Sequence, residues 1–503
     1  MSATKGLAKD AVASVARHAV TVVAAIITVP ILARTLGAER LGFWSFLGTV
    51  AFLISVCDLG LNTATLRAAT GKHAPYARSV AHLAAAVTAV VSIPFTFAAV
   101  AWLWSVANRL PREFESDARS AVIIAVVGGA IAAVSQPLRS YAQGQGYLVK
   151  LAWARAAAVG IQLLVTILGL SLGQKLRAPA SGFAVGALVE AAASAWAVRD
   201  GVRSSGFPNR EQRREIVRVA GAGLLTNFAV VLAVRLDLIV LERIANLATI
   251  GAYSVAQRIV DQGFTLVKQL SAALVPRLGT RADNRQSTIA LGTVVLGTIA
   301  GAPLAALGVA GRPLIVSWAG PAVDQPILGQ ALAWYAAAAI LIGVETVATS
   351  AMTLGGNPMA AARFVMIASL SNVAASVTGG WLFGPWAVAA GTAVGAVVST
   401  TLVWRATRKA ERWTWSQVVS AVRPPAITVA VSGVSAALLD TTGMHVVAVL
   451  LIATSLGLAA SGAALRRVVL GFARSRGVGA VTLPIAAEPP IAYRASEAQR
   501  RSG

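Results

Sequence analysis

The chain has 503 residues, 56% of them hydrophobic and only 13% charged, with a mean hydropathy of +0.71. So little polar surface excludes a soluble globule, and the period-two alternation of a membrane barrel is missing, which leaves an all-α polytopic membrane protein. The net charge of +23 sits mostly in short loops and at the C-terminus, so it reads as topology and attraction to anionic headgroups, with no nucleic acid partner expected.

Fourteen apolar segments of spanning length follow one another, at about 11–35, 42–66, 80–104, 119–138, 149–172, 179–198, 217–241, 250–275, 288–311, 327–353, 359–383, 386–404, 424–440 and 444–465. The first follows Lys5 and Lys9 without a small-residue cleavage site and reads as an uncleaved span. Pro30, Pro94, Pro137 and Pro276 fall within segments or at their ends, where kinks would serve as hinges. Cys57, next to Asp58 in the second segment, is the single cysteine. With it and four scattered histidines, neither a disulfide nor a metal site is expected, and no cofactor is implied.

A shift of 209 residues carries part of the chain onto itself. Leu32, Arg34, Gly42 and Ser45 meet the identical Leu241, Arg243, Gly251 and Ser254, while Leu41 meets Ile250 and Trp44 meets Tyr253. The same shift superimposes the run of apolar segments, the pattern of an internally duplicated transporter. The expected organisation is therefore a six-helix bundle over 1–205, a second over 206–413, an added helix pair over 414–469 and a tail over 470–503. The tail loses periodicity and gains Pro484, Pro489 and Pro490, so it reads as disordered.

Lys and Arg fall overwhelmingly on one side of the segments. Six lie between Arg199 and Arg218, five between Arg405 and Arg423, and seven from Arg466 onward. That asymmetry sets both termini in the cytoplasm, which an even number of spans allows. The opposite side carries the acidic stretch Glu113, Glu115 and Asp117, in a connection from Arg109 to Arg119.

Ionisable groups at membrane depth are costly and mark functional positions. Arg17, Arg155 and Arg363 each fall one to two turns inside the cytoplasmic end of a segment, where they would form a cationic ring or snorkel to phosphates. Arg155 and Arg363 are 208 residues apart, one short of the repeat shift. The eighth segment places Arg258, Asp261, Thr265 and Lys268 on one helical stripe, and the seventh carries Arg235 and Asp237. Asp58, Glu190 and Glu345 are further carboxylates within spans, and each of these acids is either a coupling-ion site or the partner of an arginine. An arginine-biased interior suits bidentate capture of phosphate oxygens, as in the headgroup of a lipid pyrophosphate bearing sugars.

The Leu36-Gly37 turn, LGFWS at 41–45, DLGLNTATLR from Asp58 to Arg67 and IGAYSVAQRI from Ile250 to Ile259 resemble bacterial polysaccharide flippases. Those proteins belong to the multidrug, oligosaccharidyl-lipid and polysaccharide exporter superfamily. The resemblance implies a multi-pass protein of the bacterial inner membrane that moves an undecaprenyl-diphosphate-linked oligosaccharide to the outer leaflet by alternating access, among membrane lipids and polysaccharide assembly proteins. It transfers no catalytic signature, so Arg17, Arg155, Arg258, Lys268 and Arg363 are expected at the headgroup on charge alone. Asp58, Glu190, Asp237, Asp261 and Glu345 are expected as ion-coupling groups or charge partners.

Other readings are a lipid II flippase, a multidrug exporter, a scaffold for assembly enzymes, and a membrane glycosyltransferase or polymerase. An exporter of organic cations calls for acidic residues where this chain has Arg17. An enzyme is disfavoured because no HExxH, GxSxG or Walker pattern occurs.

Overall fold

The computed structural model describes residues 2–55, 58–70, 76–108, 110–199, 209–279, 285–354 and 358–474. Every regular element in them is a helix, as a lipid environment demands of a chain whose backbone must satisfy its own hydrogen bonds. In chain order they are α1 (Ser2–Ser55), α2 (Leu61–Thr70), α3 (Ala77–Ala107), α4 (Arg112–Gly144), α5 (Leu148–Ser171), α6 (Arg177–Arg199), α7 (Arg210–Ile244) and α8 (Leu247–Gly279). There follow α9 (Arg285–Ala310), α10 (Arg312–Ala319), α11 (Pro326–Leu354), α12 (Pro358–Phe383), α13 (Pro385–Ala410), α14 (Trp415–Asp440) and α15 (Val446–Arg474), with a 3-10 turn at Pro321–Val323. Proline opens α11, α12 and α13, where its missing N–H has no intrahelical partner to lose.

Ten of the described helices are long and apolar enough to cross a bilayer. One of these stretches, Ala19–Ile54, covers the first two expected segments, because α1 breaks at Gly37, where φ is 76°. The remaining expected segments fall on α7, α8 and α15.

Several expectations need correction. The first two expected segments join in one element, α1, which breaks at Gly37 in the expected turn, and the helices run on through Pro30, Pro94 and Pro137. The second expected segment is not one helix: it ends at Ser55 and resumes at Leu61, after a turn in which Leu59 and Gly60 have φ of 51° and 74°. Asp58 therefore sits at a helix start, not deep within a run. The acidic stretch is helical from Arg112, and Asp117 accepts the backbone N–H of Leu176 at 2.7 Å, pinning the start of α6. The stretch at 312–323, expected as a connection, forms α10 and the 3-10 turn. Cys57 and the tail from 475 lie outside the described residues.

The helices α1 to α6 pack among themselves, as do α7 to α9 with α11 to α13, while α14 and α15 lie against α9. Between the first group and the second, the closest approach is the crossing of α1 and α8. A Cβ on Gly42 would lie 1.7 Å from the carbonyl oxygen of Leu247, and one on Gly251 would lie 3.0 Å from that of Ala38. One turn along each helix, Ser254 Oγ donates to Ser45 Oγ at 2.7 Å. Both pairs are 209 residues apart, so the positions matched by the internal repeat meet one another across the crossing. Around them Leu41, Phe43 and Phe46 of α1 and Ile250 and Tyr253 of α8 are fully buried in the largest apolar cluster.

Arg34 strengthens this end, donating from Nη2 to the carbonyls of Ser317 and Trp318 at 3.1 and 3.0 Å and so closing the C-terminus of α10. A second contact lies at the far end of the same arm, where Gly60 abuts α7 so closely that a Cβ would come within 2.1 Å of the Ala220 carbonyl oxygen. Replacing Ser45 and Ser254 with cysteine in a Cys57→Ser background is expected to give an intramolecular disulfide on mild oxidation. Peptide mass spectrometry checks it, and no cross-linked peptide would mean that α1 and α8 do not meet at these positions.

Candidate functional site

A cavity of about 190 Å³ lies between α1, α5 and α8. Each helix contributes residues spaced by three and four: Thr21, Ala25 and Thr28 from α1, Arg155, Gln162 and Thr166 from α5, and Arg258 and Gln262 from α8. None of its described lining residues is acidic. Arg258 makes no hydrogen bond or ion pair among the described residues, although it lies within electrostatic range of Arg235 and Asp261. The guanidinium of Arg235 covers the Phe52 ring at 4.6 Å, and its buried Nε has no hydrogen-bond partner among the described residues.

Arg155 is held from behind. Its Nη1 lies 2.6 Å from Glu190 Oε2, and Glu190 Oε1 accepts from Arg139 Nη1 at the same distance. One carboxylate thus fixes two guanidinium groups, brought together because Gly182 and Gly186 let α6 lie against Thr166 and Gln162 of α5. The remaining donors of Arg155 are free to face the cavity, and the clamp as a whole retains one positive charge.

A second polar cluster is buried in the other half. Asp237 on α7, 1% exposed, accepts at Oδ2 from Tyr253, Tyr335 and Thr392 at 2.9, 2.7 and 2.8 Å. Ser376 Oγ approaches Oδ1 at 3.4 Å and also meets the Val388 carbonyl and Asn372 Oδ1 at 2.9 Å. Four other helices thereby converge on one carboxylate with neutral oxygen groups and no cation among the described residues. Such a cage suits a proton or a small hard cation, which prefers oxygen ligands.

Asp58 accepts from the Asn62 backbone N–H at 3.0 Å, capping α2, and from Asn227 Nδ2 of α7 at 3.2 Å. Asn62 continues the network to Gln136 Oε1 at 3.0 Å. Glu345 accepts from Ser399 Oγ at 2.7 Å, with Thr400 close by.

Residues 7–280 match the family described as "Polysaccharide biosynthesis protein". The chain belongs to the polysaccharide biosynthesis protein family. No curated protein matches it. Its fold is similar to that of the lipid II flippase MurJ in an inward closed conformation, with a TM-score of 0.69 and 12% identity over 93% of this chain and 99% of that one. It is also similar to an inward-facing multidrug resistance MATE family transporter of the MOP superfamily, with a TM-score of 0.62 and 15% identity over 77% and 94%. The outward-facing form of a MATE transporter gives 0.58, with 14% identity over 81% and 96%.

In this polysaccharide biosynthesis protein two members of the expected ring, Arg155 and Arg363, lie apart. Arg155 joins Arg258 in the cavity, whereas Arg363 is exposed on a stripe of α12 with Ile367, Leu370, Val377 and Trp381. One residue of offset from the repeat shift turns a side chain by about 100° around its helix, which takes Arg363 off the inward face. The side chains of Arg17 and Lys268 lie outside the described residues. Asp261 is partly buried beside the cavity, and Glu190 is an arginine partner, whereas Asp58, Asp237 and Glu345 are held by neutral donors.

The sequence reading missed Arg139, which falls just past an expected segment end and has no pattern linking it to Glu190 51 residues away. It also missed Gln162 and Gln262, although their spacings of seven from Arg155 and four from Arg258 place them on the same helix faces. Glu190→Gln removes the charge that both arginines share, and is expected to cost about 1–3 kcal/mol of stability. Thermal unfolding of the purified protein checks this, and an unchanged midpoint would mean that the clamp contributes nothing.

Proposed function

We propose that this protein is a flippase that carries an undecaprenyl-diphosphate-linked oligosaccharide from the cytoplasmic to the outer leaflet of the bacterial plasma membrane for surface polysaccharide synthesis. The observation that carries the reading is the cavity, without an acid among its described lining residues, that Arg155 of the first half and Arg258 of the second both line. Guanidinium groups on opposite walls suit a diphosphate, whose oxygens accept paired N–H donors, while the polyprenyl chain stays in lipid. Thr21, Thr28, Gln162 and Gln262 add neutral donors for the adjoining sugar. The cargo therefore binds by charge and hydrogen bonds alone, and no bond is made or broken.

Alternating access follows from the cavity's position between two bundles, 1–205 and 206–413, both termini being cytoplasmic. Contacts of α1 with α8 and α10 close it towards the outer leaflet, and the contact of Gly60 and Asp58 with α7 closes it towards the cytoplasm. Rocking the bundles so that the crossing at Gly42 and Gly251 parts while the Gly60 contact stays closed, and the reverse, opens one end as the other shuts. The Asp237 cage is the coupling-ion site in this reading, since it joins α7, α8, α11, α12 and α13 and any change in its occupancy acts on all five.

Arg155→Ala and Arg258→Ala are each expected to reduce surface glycan at least about tenfold, the cost of losing one charge-assisted contact, while the protein remains in the membrane. Arg363→Ala is expected to leave export unchanged. Glycan labelling at the cell surface checks all three, and normal export by both cavity variants would sink the model. Depletion with mass spectrometry of the lipid-linked intermediates names the cargo: lysis with lipid II accumulation would redirect the same cavity to peptidoglycan. In vitro turnover of the lipid-linked sugar without translocation would instead make the protein an enzyme. Asp237→Asn, close to isosteric, is expected to abolish export without loss of the protein. Undiminished export would leave the cage a structural role only.

A further inference from the structure

Joined by a short turn, α13 and α14 nonetheless part company. A capping box of Thr414 and Gln417 starts α14, and Arg412 at φ 54° turns the chain before it. From there α14 packs on α9, where Pro425 and Val429 contact Gly297 and Gly301, while α13 stays with α11 and α12. Their divergence leaves an open groove of about 370 Å³, to which α1, α5 and α8 contribute nothing. It is therefore separate from the cavity assigned to the cargo.

The groove combines two chemistries. One wall is an apolar stripe of Val418, Val419 and Val422, with Trp404 and Trp415 beside it. Arg405 and Arg423 also line it, one from each helix; both are exposed, and neither makes a hydrogen bond or ion pair among the described residues. No acidic side chain is among the described lining residues. Trp404 is 5% exposed, yet its indole N–H is buried without a hydrogen-bond partner, although a buried indole N–H ordinarily finds one. Next to the groove, Arg408 covers the Trp415 ring at 4.7 Å. Arg405 lies about 8 Å before the end of α13 and Arg423 about 12 Å past the start of α14, within reach of the headgroup level for long side chains that snorkel.

We propose that this groove is a binding site for an anionic phospholipid of the cytoplasmic leaflet, its phosphate held between Arg405 and Arg423 and an acyl chain laid along the valine stripe. Bound there, the lipid fills the gap between the added helix pair and the bundle ending in α13, fastening α14 and α15 at the basic end of the protein. The inference stands on the groove alone and does not require the transport reading.

The test is native mass spectrometry of the full-length protein released from nanodiscs of phosphatidylcholine with phosphatidylglycerol. Wild type is expected to retain phosphatidylglycerol preferentially. Arg405→Ala with Arg423→Ala is expected to retain about 30-fold less, as the loss of two basic contacts at an anionic surface implies, while Arg405→Lys with Arg423→Lys keeps most of it. Both arginines are exposed and unpaired, so the variants are expected to fold, and unchanged thermal unfolding in pure phosphatidylcholine verifies this. Equal retention by wild type and the alanine variant, or preference for phosphatidylcholine, overturns the proposal. So does a polyprenyl diphosphate that co-purifies with wild type and is lost with the two arginines, since it would make the groove part of the cargo path.

Discussion

The crossing of α1 and α8 depends on two missing side chains. Between helices already surrounded by lipid there is no hydrophobic gain from contact, so close packing and polar contacts must hold them together. At Gly42 and Gly251 backbone meets backbone, and the Ser45 and Ser254 hydroxyls bond one turn away. In a duplicated chain the positions nearest the axis face their own copies. A small residue is then needed on both sides at once, and this accounts physically for the identity the two halves retain there.

Charge is arranged in two compartments. Around the cavity, Arg139 and Arg155 share one carboxylate and Arg258 has no hydrogen-bonded partner among the described residues, so positive charge is left over where water or an anion has access. Uncompensated charge at membrane depth is costly, and an anion in the cavity would offset that cost only while bound. In the second compartment Asp237 is enclosed by hydroxyl groups and is not among the residues lining the cavity. Because Tyr253 follows Gly251 on α8, the acidic cage is joined through one helix to the crossing of α1 and α8.

Much was fixed by the order of residues alone. Fourteen apolar stretches required spanning helices because lipid supplies no alternative hydrogen-bond partner, and the shift of 209 residues located Gly42, Gly251, Ser45 and Ser254 before any contact was known. Arg155 and Arg258 were legible as well, since a charge within an apolar run stands out from its surroundings.

What remained hidden belongs to geometry around and between helices. Spacing along the chain put Arg363 nearly level with Arg155, but facing is set by rotation, and one residue of offset removes it from the interior. The break at Leu59 and Gly60 was invisible within a continuous apolar run, because hydropathy does not record a change of backbone dihedral, whereas the turn at Gly37 was legible. Partners such as Arg139 for Glu190, or Tyr335 and Thr392 for Asp237, lie 51 to 155 residues apart. Only the packing of separate helices brings them within bonding distance. Residue type declared where charge sits in the bilayer; tertiary structure decided which charges are paired, which face the cavity, and which meet lipid.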